Sequence, residues 1–211
     1  MIEELSHKNI FSTILVEKGF VYPSSIRASQ IFFVTPEILK KVSGVESPEQ
    51  IIAEIPLPKE DPLENKQFLL VLDQISDPGN LGTLLRSAKA FNWEGVFITE
   101  SSCDPFNEKA LRAAKGATFA LPMRLGSWQD FVTIAKKNNM YCFVADPRGK
   151  SFQNILFAPP LALILSNESH GSSQEVKNCC IPICIPMEGD MESLNVGMAG
   201  SILLYNMKRG V

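Results

Sequence analysis

Beyond residue 66 the chain alternates apolar runs of strand length with stretches of helical spacing. The runs are Phe68 to Leu72, Gly95 to Thr99, Tyr141 to Ala145, Leu161 to Leu165 and Ile181 to Ile185. They are continuous, not alternating, which is the pattern of strands covered on both faces. Between them, Asn80 reads as the N-cap of a helix with Leu81, Leu84, Leu85 and Ala88 on one side. Asn107 to Ala114 and Trp128 to Lys137 also read as helices, and Ser172-Ser173-Gln174-Glu175 as a capping box. A last helix is expected from about Ser193 to Lys208, closed by Arg209 and Gly210. The fold class is therefore α/β, a mostly parallel sheet with helices on both faces. Ligands of such sheets bind outside the carboxyl ends of the strands.

The front of the chain is different. Ile31 to Val34 and Ile51 to Ile55 read as short strands, and Thr35-Pro36-Glu37 opens a short helix between them. Pro56-Leu57-Pro58-Lys59-Glu60-Asp61-Pro62 suits an extended linker. Two domains are expected: a small, shortened α/β unit with its linker over 1–60, and a larger domain over 61–211.

Composition adds exclusions. The 211 residues are 45% hydrophobic with a net charge of −3, which excludes global disorder. The stretch Leu161 to Leu165 is far short of the roughly 20 apolar residues of a membrane helix. The acidic start lacks the pattern of a signal peptide, and five cysteines do not suggest a disulfide framework. A cytoplasmic setting is expected. The acidic balance at first disfavours nucleic acid. However, residues 1–65 hold 6 Lys and Arg against 10 Asp and Glu, while residues 66–211 hold 14 against 13. The deficit belongs to the front segment.

Three strand-end loops are loaded with polar residues: Asp73 to Gly82 with Arg86 beyond it, Ser166 to Gly171, and Pro186 to Asn195. Each has a plain structural reading. Asp77-Pro78-Gly79-Asn80 is turn and cap chemistry, Arg86 a surface arginine, Glu168 an acceptor for helix N–H groups, and Asn195 a cap. Together they load one edge of one sheet with Asn, Arg, Glu and Ser. No G-x-x-x-x-G-K-[ST] loop or G-x-G-x-x-G turn occurs. With only His7 and His170, no His-based metal site or Ser/His/Asp constellation is expected, and Cys179, Cys180 and Cys184 read as buried thiols.

At these loops the chain resembles the SpoU (TrmH-type) RNA 2′-O-ribose methyltransferases. Asp73-x-x-x-Asp77-Pro78-x-Asn80-Leu81-Gly82-x-x-x-Arg86 resembles the first motif of that family. Leu163-Ile164-Leu165-Ser166-Asn167-Glu168 resembles the second, and Ile185-Pro186-Met187 with Ser193-Leu194-Asn195-Val196 the third. The resemblance covers about residues 66–209, in family order. It implies a SPOUT fold with a C-terminal trefoil knot, a homodimer, and S-adenosyl-L-methionine as the methyl donor. The segment from Val34 to Pro56 looks like the tail of the small RNA-binding domain that often precedes this fold.

By resemblance, Asn80, Arg86, Glu168, Ser193 and Asn195 match the family's polar catalytic positions. Ala145, Leu165, Asn167, Glu168, Gly171, Ile185, Met187 and Leu194 would line the donor site. The RNA partner, rRNA or tRNA, would meet Arg86, Arg112, Lys115 and Arg124. The face of Leu194, Met198, Ile202 and Leu203 would suit the dimer. No metal and no membrane partner are implied. The family's G-x-E-G-x-G reads Ser166-Asn167-Glu168-Ser169-His170-Gly171 here, and Gly197 stands where a serine is usual. These departures bear on donor affinity, so the alternative is a catalytically weakened RNA-binding dimer of the same fold.

Overall fold

The structure is a computed structural model of the chain and describes residues 2–6, 10–167, 171, 173–189 and 193–209, apart from the side chains of Glu4 and Gln174. It divides into two compact units, residues 1–59 and 60–211.

The first unit contains helix α1 (Ile2–Ser6), strands β1 (Phe11–Glu17) and β2 (Ala28–Val34), helix α2 (Pro36–Ser43) and strand β3 (Ile51–Glu54). Its three strands are ordered β2-β1-β3, with β1 parallel to β2 and antiparallel to β3. Phe11, Ile14, Val16 and Ile26 form its core. The central strand β1 was not expected from the sequence. Ser12 and Thr13 interrupt its apolar run, and the pairing of β1 with a strand on either side, at Thr13 among others, carries the strand through them.

The second unit begins with β4 (Phe68–Asp73), α3 (Pro78–Ala90), β5 (Gly95–Thr99), α4 (Glu108–Ala114), β6 (Met123–Gly126) and α5 (Trp128–Lys137). It continues with β7 (Tyr141–Ser151), β8 (Leu161–Ser166), α6 (Gln174–Cys179), β9 (Ile181–Cys184) and α7 (Val196–Arg209). The six strands are ordered β6-β5-β4-β8-β7-β9 and every neighbouring pair is parallel. The expected mostly parallel sheet is thus present. β6 was missed in the sequence because its four residues carry a central arginine; pairing with β5 makes it a strand.

Alternate residues of β4 serve opposite faces. Leu70 and Leu72 join residues of α3, α4 and α7 in one core, while Leu69 and Val71 join residues of α5 and α6 in the other. Helices therefore cover both faces. α7 is fastened to the rest by the Trp93 indole N–H, which donates to the Leu204 carbonyl at 3.0 Å, and by a 2.7 Å bond between the Ser87 and Ser201 hydroxyls. Leu203 is buried in this core, so it does not belong to an outward face as expected; the exposed stripe of α7 is Met198, Ile202 and Tyr205. Among the described residues no helix is long and apolar enough to cross a membrane.

Two helix starts correct the sequence reading. Asp77, not Asn80, caps α3: its carboxylate accepts the Asn80 N–H at 2.8 Å, and Pro78 takes the first turn. α7 starts at Val196, not Ser193, with Asn195 Oδ1 accepting the N–H groups of Gly197 and Met198 at 2.9 and 3.3 Å. For α6 the cap is Ser173, which accepts the Val176 N–H. Ser172 lies outside the described residues, as does Gly210 beyond α7.

The Asp77 cap is testable. Its carboxyl is held below its ordinary value of 3.8 by the Lys109 ammonium at 2.7 Å and the Asn80 N–H. Asp77→Ala is expected to lower stability by about 0.5–2 kcal/mol. Because the folded state lowers this carboxyl, its contribution is complete above the ordinary value and fades as the pH falls through the depressed one. Denaturant melts of both proteins at neutral and acid pH check it; a difference that persists unchanged at acid pH contradicts the assignment.

Candidate functional site

Strand order decides what meets what. β8 lies between β4 and β7, and β9 lies outside β7. The loops that follow β4, β7, β8 and β9 therefore leave the same carboxyl edge, around the point where the order of the sheet reverses.

Asparagine side chains join these loops. Asn167 Nδ2, after β8, donates to the Gln74 carbonyl at 3.0 Å and the Ser76 hydroxyl at 3.3 Å, both after β4. Asn195 Nδ2 donates to Asn80 Oδ1 at 3.0 Å, tying the start of α7 to the first turn of α3. Gly197 lies beside this pair: a Cβ there would stand 3.1 Å from Asn195 Oδ1 and 3.3 Å from Asn80 Oδ1. The absence of a side chain at 197 leaves the two amides room to meet.

Between the loops is an open cleft at the ends of β8 and β9 and at the break in the pairing of β7 between Ala145 and Lys150. Of the residues expected at a donor site, Ala145, Asn167, Gly171, Ile185, Met187 and Leu194 line it, together with Ser193. Leu165, expected to contribute backbone groups, is not among the lining residues, and its side chain is fully buried in the core beside Gly200. Glu168 and His170 lie outside the described residues. Asp146, Pro147, Ile183, Cys184 and Ala199, which the sequence reading did not name for the site, also line the cleft, as do Ser166 and Val196 of the motifs. The signal for Asp146 was present, since Asp-Pro directly follows the apolar run ending at Ala145.

Two carboxylates define the electrostatics. Burial alone would raise the Asp146 carboxyl, but the Arg148 N–H at 2.9 Å and the Arg148 guanidinium at 3.4 Å hold it below its ordinary value. It stays an anion at the cleft wall. Asp73, at the end of β4, is buried and its carboxyl is raised by desolvation, only partly offset by hydrogen bonds from Thr99 and Ser166. The Ser166 hydroxyl, itself at the cleft, donates to Asp73 at 3.4 Å.

Arg86 is exposed on α3, two turns beyond the first turn of the helix, and no ion pair holds its guanidinium among the described residues. Arg112 belongs to α4, which packs against α3, and is paired with Glu108 at 2.7 Å; Lys115 is the residue that caps the end of that helix. Arg124 is apart from them. Its neighbour Met123 is buried in the core shared with α3, so Arg124 faces the other side of the sheet, where its charge acts on Asp130 of α5. The four basic residues thus do not form one patch within a single chain. The three thiols expected to be buried also separate: only Cys180 is buried, Cys184 is half-buried and Cys179 is exposed. Among the described residues no group of three or more His, Cys, Asp or Glu is placed to hold a metal.

An all-parallel sheet with a cleft at its carboxyl edge, lined from β7, β8, β9 and the segments that follow β8 and β9, is the arrangement in which α/β proteins bind ligands. The model of the SpoU rRNA Methylase family matches residues 67–205. The 23S rRNA (guanosine(2553)-2′-O)-methyltransferase of Bacillus subtilis is 31% identical over 209 residues, covering 98% of this chain and 84% of that protein. A 23S rRNA (uridine(2479)-2′-O)-methyltransferase of Streptomyces viridochromogenes is 26% identical over 197 residues, 88% of this chain and 69% of that protein. Among solved structures, the SpoU methyltransferase AviRb of the same organism, in complex with the cofactor AdoMet, superposes with a TM-score of 0.79 at 23% identity, covering 98% of this chain and 85% of that one. The chain belongs to the SpoU rRNA Methylase family, as the three motifs indicated, and is a methyltransferase.

Proposed function

We propose that the chain is an S-adenosylmethionine-dependent RNA methyltransferase acting on a ribose 2′-hydroxyl of rRNA or tRNA. The observation that carries this is the cleft formed by β7, β8 and β9, joined by Asn167 to the loop after β4 and by Asn195 to the first turn of α3. The relatives named for 23S rRNA align over 98% and 88% of this chain, which favours rRNA.

The cleft residues fit the donor. Ile183, Ile185, Met187, Leu194 and Val196 offer an apolar wall for an adenine ring, and Asp146 offers a carboxylate to a cationic or hydroxylated ligand. Ala145, Asn167, Gly171, Ile185, Met187 and Leu194 would hold the donor. When bound, the donor supplies a methyl group on a positively charged sulfur. The chain's own task is to align a ribose oxygen with that methyl, since positioning supplies much of such an acceleration. Arg86 would clamp the ribose and its phosphate through guanidinium hydrogen bonds. A guanidinium offers five N–H donors and no acceptor, which suits a clamp and not a base. Asn80 and Asn195 would hold the start of α3 and α7 in place around the acceptor, with Ser193 and Glu168 as further polar partners.

The same reading includes a trefoil knot in the C-terminal part, a homodimer paired through the exposed stripe of α7, and a cytoplasmic location. Residues 1–59 would be a secondary RNA contact, and Arg112, Lys115 and Arg124 would meet RNA from two copies. Titration calorimetry with S-adenosylmethionine, followed by mapping of 2′-O-methyl sites in RNA from cells with and without the gene, tests this. Donor binding and the loss of one methyl site are expected. No heat at millimolar donor would leave the weakened RNA-binding dimer as the better reading.

A further inference from the structure

Cys142 on β7 stands beside Cys180, the residue directly before β9. β7 and β9 pair in register with Phe143 opposite Ile181, so the residues just before them, Cys142 and Cys180, are opposite as well. Parallel strands run about 4.8 Å apart, within the roughly 4.4–6.8 Å Cα separation that a disulfide spans. Alternation sends both thiols to one face: Phe143 belongs to the core shared with α3, whereas Cys180 and Cys142 belong to the core shared with α5. On that face a second pocket opens, lined among others by Trp128, Phe131, Met140, Cys142, Cys179 and Cys180. Cys142 is half-buried and Cys180 buried.

We propose that Cys142 and Cys180 form an oxidisable dithiol, reached through this pocket by a low-molecular-weight disulfide and closed by it into a cross-strand bond. The Cys142 thiolate attacks one sulfur of the small disulfide. A mixed disulfide forms on Cys142, and the first small thiolate leaves and takes up a proton. Cys180 then loses its proton to the second departing thiolate and attacks the Cys142 sulfur. The balance is two protein thiols oxidised by two electrons and one small disulfide reduced to two small thiols. The order of attack follows the acidities: a hydrogen bond with Cys180 holds the Cys142 thiol below its ordinary value, whereas that same contact and burial push the Cys180 thiol up. The bond ties residues 142–180 into one ring, and that ring carries Ala145, Asp146, Ser166, Asn167 and Gly171 of the cleft.

The test is exposure of the folded full-length protein to oxidised glutathione, then trapping of free thiols, digestion without reductant and mass spectrometry. The expected product is a peptide linked through Cys142 and Cys180, with free thiols falling from five to three. Cys103→Ser, Cys179→Ser and Cys184→Ser are expected to keep the link, and Cys142→Ser and Cys180→Ser each to abolish it. Circular dichroism of each variant verifies that it is folded, and Cys142→Ala and Cys180→Ala replace any serine variant that is not. A link through Cys179, mixed disulfides that never resolve, or a link that forms only in denaturant would overturn the proposal.

Discussion

Arg86→Ala is expected to reduce RNA methylation by about a hundredfold or more while leaving donor affinity within about twofold. The guanidinium is exposed and free of ion pairs among the described residues, so its removal opens no cavity and strands no partner. It is absent from the cleft that would hold the donor. In the proposed reading its role lies with the acceptor. Hydrogen bonds to charged groups contribute about 1.5–3 kcal/mol each, and about 2.7 kcal/mol of transition-state stabilisation corresponds to about a hundredfold in rate. Arg86→Lys is expected to recover only part of the rate, because an ammonium cannot reproduce the planar two-point contact of a guanidinium. Single-turnover methylation with saturating donor, beside calorimetry of donor binding, reads both quantities. Methylation at the native rate would remove Arg86 from the acceptor site.

The second large effect is on folding, at Gly82. α3 and α4 touch there with no side chain between them: a Cβ on Gly82 would stand 2.3 Å from the Ala110 carbonyl oxygen and 2.7 Å from the Ala113 Cβ. A glycine-to-alanine change inside a helix ordinarily gains about 1 kcal/mol. Here the collision is with backbone, which cannot swing aside, and overpacking typically costs about 1–3 kcal/mol and occasionally more. The steric term wins. Gly82→Ala is expected to destabilise by about 2 kcal/mol, or roughly 4–8 °C in Tm for a unit of this size. Thr83→Ala, one position along on the exposed side of α3, is expected to stay within about 0.5 kcal/mol. Calorimetric melts of the three proteins decide the matter; equal Tm values for Gly82→Ala and the parent would mean that the helices separate at no cost.

The departures of this chain from its family acquire a local meaning in the structure. Ser166, where a glycine is usual, directs its hydroxyl to the buried Asp73 while lining the cleft. Gly197, where a serine is usual, leaves open the space in which Asn80 and Asn195 meet. Ser166 is the last residue of β8 and Gly197 is in the first turn of α7, so both changes sit at element ends beside the joined loops.

What could be read in the sequence follows from local physics. β4, β5 and β8 bury nearly every side chain, so their runs are continuous and their positions were legible. The helix from Trp128 to Lys137 was also legible, although its capping box of Ser127 and Asp130, equally local, was not named. The Asp77 cap was misassigned even though Pro78 marks the first turn, a signal that points to the residue before the proline. β1 and β6 were missed because their strand character comes from partners distant in sequence.

The sequence by itself determined the alternation of buried strands and helices, the parallel sheet, and the three loops whose motifs match the SpoU family. Those signals are local: transfer of apolar residues from water sets the periodicity, and capping is settled within one turn. Only the tertiary structure decided which loop residues share the cleft. That depends on β8 lying between β4 and β7, and on Asn167 and Asn195 bridging 93 and 115 residues of chain. It turned Leu165 into the core, brought Asp146 to the cleft, sent Arg124 to the opposite face, and set Cys142 beside Cys180. The order of strands in a sheet is a global property, fixed by how all the apolar faces are covered together, and no short stretch of the chain encodes it.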